Sequence, residues 1–219
     1  MRIRYFRAIS QLVLVFFLLI GSAPCFGELY YPPDCEGPGC LRTAETTSWP
    51  AALEDGSFSV ELRNIAITIP SPPERVVRQW GGDVLFVCQD GSWLNFSLES
   101  RFSSAEGVSL PEKSSFTVAD SGQFIFTKTT RDTPPDDPND LWIWRWALFL
   151  KSQVFGADNP VYTATRESLT IYFWEDISIK DTYLAYVFDA SRTDSYVRIF
   201  AQNLSFEDFK KIVGSATLR

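Results

Sequence analysis

Cys35 and Cys40 bracket Glu36-Gly37-Pro38-Gly39, a turn-forming stretch that lets the two sulfurs approach. In an oxidising compartment this spacing predicts a disulfide. So small a loop constrains the unfolded chain by only about 2 kcal/mol, so the bond is a local staple. A CxxxxC metal site would need further Cys or His ligands, and the chain has no His and four Cys. Cys88 shares parity with Val84 and Phe86 on an apolar strand face, which predicts a buried, inert thiol.

The carboxylates offer two chemistries. Asp132, Asp136, Asp137 and Asp140 fall in one Pro-rich stretch and could give oxygen ligands to Ca²⁺, but without EF-hand spacing. A solvated loop is the plainer expectation, with neither metal nor cofactor. Glu175 and Asp176 follow an aromatic strand and could serve an acid-type hydrolase with Asp181 or Glu167, given two carboxylates held across a cleft. The aromatics offer a third. Trp142, Trp144 and Trp146 cannot share one helical face, so Trp144 is the one expected partly exposed. Trp80 beside Gly81-Gly82 and Trp93 after Asp90-Gly91 join it as candidate contacts for a sugar ring or lipid.

Composition removes other classes. Without His there is no Ser-His-Asp or Cys-His catalysis and no imidazole acid–base step. The 20 basic residues against 27 acidic give a net charge of −7, which argues against a nucleic-acid backbone binder. No phosphate-cradling Gly loop, GxSxG elbow or CxxC pair occurs.

The N-terminus reads as an address. Arg2, Arg4 and Arg7 precede the apolar run Leu12 to Ile20, and small residues with Pro24 follow. That is the layout of a secretory signal peptide over residues 1–27, cut after Gly27. The run is short of the roughly 20 apolar residues that span a bilayer. Lipidation of Cys25 is the alternative, and the one route to membrane attachment. The first 27 residues carry three Arg and no acid, so their removal leaves 17 basic and 27 acidic residues, net −10.

Residues 28–57 read as an irregular arm, and residues 58–219 as one α+β domain. Period-2 patterns give strands at Phe58–Leu62 and Ile65–Ile69, with a turn or bulge at Arg63-Asn64. Val84 to Leu98 reads as a hairpin around a two-residue Asp90-Gly91 turn. A second hairpin is expected from Phe116 and Val118, through Asp120-Ser121-Gly122, to Phe124 and Phe126. Leu141–Phe155 is predicted helical from its borders: Asp137 caps, Pro138 opens and Gly156 closes it. Three strands follow, and then a helix capped by Ser205, with Asp208 as capping-box partner and Gly214 as the stop.

The outcome is an antiparallel sheet with a central helix and a C-terminal helix packed on it. Over roughly residues 57–216 this element order resembles the Mog1/PsbP-like architecture, in which a Pro-ended early strand and a terminal amphipathic helix frame such a sheet. The resemblance rests on element order and transfers no functional residue. The functional expectation is an exported, non-enzymatic protein, periplasmic or secreted. It binds another macromolecule, such as a basic protein target of an inhibitor or immunity-type protein. The alternatives are the Trp-based sugar or lipid module and the Glu175/Asp176 hydrolase.

Overall fold

A computed structural model of the protein describes residues 32–53, 58–79, 83–100, 114–156 and 159–219. Residues 1–27, for which a signal peptide is expected, lie outside the described residues with Cys25 among them, as does Trp80. Eleven strands occur among the described residues: β1 (Glu45–Thr46), β2 (Phe58–Leu62), β3 (Ile65–Ile69), β4 (Arg75–Arg78), β5 (Val84–Val87), β6 (Trp93–Glu99), β7 (Val161–Arg166), β8 (Leu169–Glu175), β9 (Thr182–Asp189), β10 (Tyr196–Gln202) and β11 (Thr217–Leu218). Eight form one sheet in the order β1-β7-β8-β9-β10-β6-β5-β4, antiparallel except for the β1–β7 pair. A small sheet, β11-β3-β2, is the second.

Strand parity sorts the two cores. Ile171 and Phe173, Ala185 and Val187, and Val197 and Ile199 face the small sheet and the C-terminal helix. Their neighbours Tyr172, Trp174, Phe188 and Tyr196 face the other helices. The α+β plan is therefore three-layered, with the large sheet in the middle. Asp189 joins two layers: its carboxylate accepts from Ser168 Oγ (2.9 Å) and Ser191 Oγ (2.6 Å), and from Asn64 Nδ2 (2.5 Å) in the β2–β3 turn.

The expected second hairpin is instead a helix, α1 (Val118–Thr127). Its capping box overrides the apparent alternation: Asp120 N donates to Thr117 Oγ1 (3.2 Å), and the Asp120 carboxylate accepts from Thr117 N (2.8 Å). Ala119, Gly122, Ile125 and Phe126 then fall on one buried face. Gly122 is a point of close approach and not a turn, since a Cβ there would sit 2.8 Å from the Tyr196 ring and 3.0 Å from that of Phe188.

The Val84–Leu98 hairpin is present but its loop is longer than expected. Cys88 N donates to Ser92 O (2.9 Å), closing a three-residue loop in which Gly91 alone takes positive φ (83°). The Arg63-Asn64 phase change is a two-residue turn, with Leu62 opposite Ile65.

The central helix α2 (Pro138–Phe155) starts as expected, with Asp137 accepting from Asn139 N (2.9 Å) and Asp140 N (3.1 Å). The exposure expected of Trp144 is not found: it is 6% exposed, whereas Trp146 is half-buried and stacks on Trp142 (5.7 Å). Burial on two sides explains this. On one side Phe124 of α1 meets the Trp144 ring edge-on, at 6.2 Å. On another the arm runs along the helix, with Arg42 donating to Phe155 O (3.4 Å) and Gly39 set against the Phe155 Cβ.

The C-terminal helix α3 (Phe206–Gly214) has the expected cap, Asp208 N donating to Ser205 Oγ (3.0 Å). Gly214 is its last residue, and a Cβ there would collide with the Pro50 carbonyl oxygen. Trp49 Nε1 donates to Gly214 O (2.7 Å), so the arm continues across this end of the helix.

Candidate functional site

The Cys35–Cys40 disulfide forms, at a Cα–Cα distance of 5.9 Å, beside the short 3-10 turn Pro38–Leu41. Thr130 N donates to Cys40 O (3.2 Å), which ties this loop to the Pro-rich segment between α1 and α2. Between the two lies a groove of about 340 Å³. Trp144, Leu141 and Leu148 of α2 line it together with Pro33, Pro134 and Pro135. Asp34, Asp132 and Asp136 contribute three exposed carboxylates, against the single cation Arg145. Arg145 lies 3.9 Å from Asp34, an exposed pairing worth little by itself.

The loop prolines and aspartates make this lining by fixing themselves. Asp132 accepts from Thr129 N (2.7 Å) and Thr129 Oγ1 (2.9 Å). These bonds, with weaker help from Lys128 and Lys151, hold its carboxyl below the usual range. Asp137 is spent on the α2 cap. Asp140 turns inward and accepts from Ser114 Oγ (2.6 Å), Ser115 N (2.8 Å) and Ser115 Oγ (2.5 Å). Burial pushes the Asp140 carboxyl up, and the serine hydroxyls and backbone N–H groups outweigh it, leaving it lowered. The four aspartates thus divide, Asp132 and Asp136 lining the groove while Asp137 caps α2 and Asp140 turns inward, and no group of three metal-capable side chains occurs among the described residues.

Chemically the groove can hold a cation with an apolar stem, such as an alkylammonium or guanidinium side chain. The carboxylates would meet the charge, and Trp144 and the leucines would cover the stem. An exposed carboxylate of lowered pKa is a poor proton donor at neutral pH, so Asp132 is suited to binding and unsuited to general-acid work.

Of the Trp candidates, Trp144 and Trp93 fall within the described residues and sit on different elements. Trp144 is in the groove wall, and Trp93 on β6 is half-buried and stacked on Phe200 of β10 (5.1 Å). Asp176 accepts from Ser178 N (3.0 Å) and Ser178 Oγ (2.5 Å), so it is committed to its own turn, while Glu175 ends β8 opposite Tyr183. Cys88 is buried and unpaired.

Lys151 of α2 is a residue that the sequence analysis did not single out. It is fully buried, donates to Ile125 O (3.0 Å) and lies 4.2 Å from the centre of the Phe155 ring. Burial pushes its amine down to about 8, partly offset by the charge of Asp132. The signal was available: Trp144, Ala147, Leu148, Lys151 and Phe155 recur at helical spacing and are all buried.

No family model, curated protein or solved structure matches this chain. The disulfide is a bond of oxidising compartments. No helix among the described residues is long and apolar enough to cross a membrane.

Proposed function

We propose that the chain is an exported, non-enzymatic protein, periplasmic or secreted, that binds a basic protein in the envelope or outside the cell, as an inhibitor or immunity-type protein does. The observation that carries this reading is the groove beside the disulfide, where three exposed carboxylates surround an apolar wall with one arginine among them. The net charge of −7 supports it, because a field of one sign steers an oppositely charged partner and raises its on-rate. The signal-peptide pattern and the disulfide support export. The element order behind the Mog1/PsbP-like resemblance fits this use, since such a sheet offers a rigid support for a binding groove.

The test is retention of envelope and extracellular proteins at low salt by the immobilised chain, compared with an Asp34→Lys/Asp136→Lys variant. A basic protein held by the first, released by salt and lost with the second is the expected result. Equal retention by both, or none by either, overturns the proposal.

A second reading, a carbohydrate- or lipid-binding module, draws support from the half-buried Trp93 stacked on Phe200. Unchanged Trp emission on titration with glycans or vesicles would remove it. Attachment through a lipidated Cys25 is compatible with either and is read directly from the intact mass.

A further inference from the structure

The large sheet ends differently at its two sides. At one, the arm strand β1 lies against β7. At the other, β4 is the outermost strand among the described residues, and all four of its residues, Arg75, Val76, Val77 and Arg78, are exposed. Val76 is 54% exposed, an unusual degree for a β-branched residue in a strand.

The ladder fixes which backbone groups are unused. Arg78 lies opposite Val84, and the next residue, Gln79, donates its N–H to Asp83 O (2.8 Å). Antiparallel pairing alternates, so Val77 and Arg75 also turn their backbone groups toward β5. Val76 and Arg78 therefore direct N–H and C=O away from the sheet, as a template for another strand. Arg75 and Arg78 form no ion pair among the described residues, on a molecule that is otherwise acidic. They project to opposite faces of the strand, one near each end.

We propose that β4 is a strand-addition site for an extended acidic segment of a partner protein. The backbone of Val76 and Arg78 supplies the hydrogen bonds, Val76 and Val77 give apolar contact on the two faces, and Arg75 and Arg78 select carboxylate-bearing residues. Charge argues for this occupant over a second copy of the chain. Two β4 edges meeting would gather four arginines into one short ladder, and like charges across strands are destabilising. The site is independent of the acidic groove and takes the opposite charge.

The experiment uses the full mature chain with two labelled eight-residue peptides of alternating valine, one with glutamate and one with lysine between. Fluorescence anisotropy is expected to show binding of the glutamate peptide alone, weakened tenfold or more in Arg75→Glu/Arg78→Glu. Val76→Pro removes an outward N–H and leaves the β4–β5 bonds in place, so it is expected to abolish binding without unfolding the protein. Amide exchange on the unmodified chain supplies a reading free of mutation: the glutamate peptide should slow exchange at Val76 and Arg78 and leave Val77 unchanged. No slowing at those two amides overturns the proposal, as does equal binding of both peptides or undiminished binding to Val76→Pro. A dimer in sedimentation that Val76→Pro dissociates overturns it too, by giving the edge to a second copy.

Discussion

The ammonium of Lys151 in α2 donates to the carbonyl oxygen of Ile125 in the last turn of α1, at 3.0 Å and out of reach of solvent. Lys128 N closes the last i→i−4 bond of α1, to Phe124 O (3.1 Å), and beyond it carbonyls lack helical partners; Ala44 N of the arm donates to one of them, Phe126 O (3.2 Å). A cation at the negative end of a helix is favourable, while burial disfavours the charged amine. The lowered pKa follows from that burial, offset in part by the charge of Asp132.

Lys151 therefore predicts an unusual alkaline response. Between about 8 and its free value of 10.5 the amine is protonated in the unfolded chain and neutral in the folded one. The unfolded state then binds more protons, so stability rises with pH through this window, by about 3 kcal/mol. Above the ordinary tyrosine range the trend reverses, because burial raises the hydroxyls of Tyr172 and Tyr186 in the folded state. Urea unfolding from pH 7 to 11 should show a maximum near pH 10, and Lys151→Met should flatten the rise.

Acid acts through Asp140 and Asp189, both lowered although burial opposes it, by the hydroxyl and backbone donors around them. Their stabilisation is complete above the ordinary carboxylate range and is lost as pH falls through their folded values. Asp189→Ala removes the acceptor shared by Asn64, Ser168 and Ser191, and should cost about 2 kcal/mol at neutral pH. The deficit should shrink on acidification, measured as the difference in urea midpoint between pH 7 and pH 3.

Gly122→Ala separates packing from helix propensity. Alanine is the better helix former by about 1 kcal/mol, yet its Cβ would enter the rings of Tyr196 and Phe188. Overpacking should win, with a net loss of about 1–3 kcal/mol by chemical denaturation. A stabilised variant would show that α1 can lift from the sheet at no cost.

Opening the Cys35–Cys40 bond should cost about 2 kcal/mol, and its effect should be local. The Cys35→Ser/Cys40→Ser variant is expected to keep its far-ultraviolet spectrum. Tryptophan emission should shift to the red as the groove wall at Trp144 gains water.

The parts of the fold legible in sequence were those where one pattern acts alone. The β8–β10 strands alternate cleanly, and Ser205 with Asp208 marks α3 without competition. The first half of the helical layer was harder. Phe116, Val118, Phe124 and Phe126 alternate like a strand around a Gly, and only the Thr117–Asp120 reciprocal cap separates helix from hairpin. In α2, burial on two sides erases the one-sided stripe, which is why Trp144 was expected partly exposed and why the buried Lys151 did not stand out. Of the candidate site, the disulfide and the Pro-Asp loop were legible as separate features. Their meeting was not, because the Thr130–Cys40 bond joins segments 90 residues apart.

The arm crosses the molecule from one face to the other. Ala44 packs with the helical layer, β1 passes along the sheet edge, and Trp49 and Leu53 pack on the opposite side. Its anchoring partners are distant in the chain: Arg42 reaches a carbonyl 113 residues onward, and Trp49 one 165 residues onward. A chain that emerges N-terminus first thus holds this strap idle until Phe155 and then Gly214 have been delivered. Docking of the arm is set by contacts of very long sequence separation, which form late and slowly compared with the local hairpins.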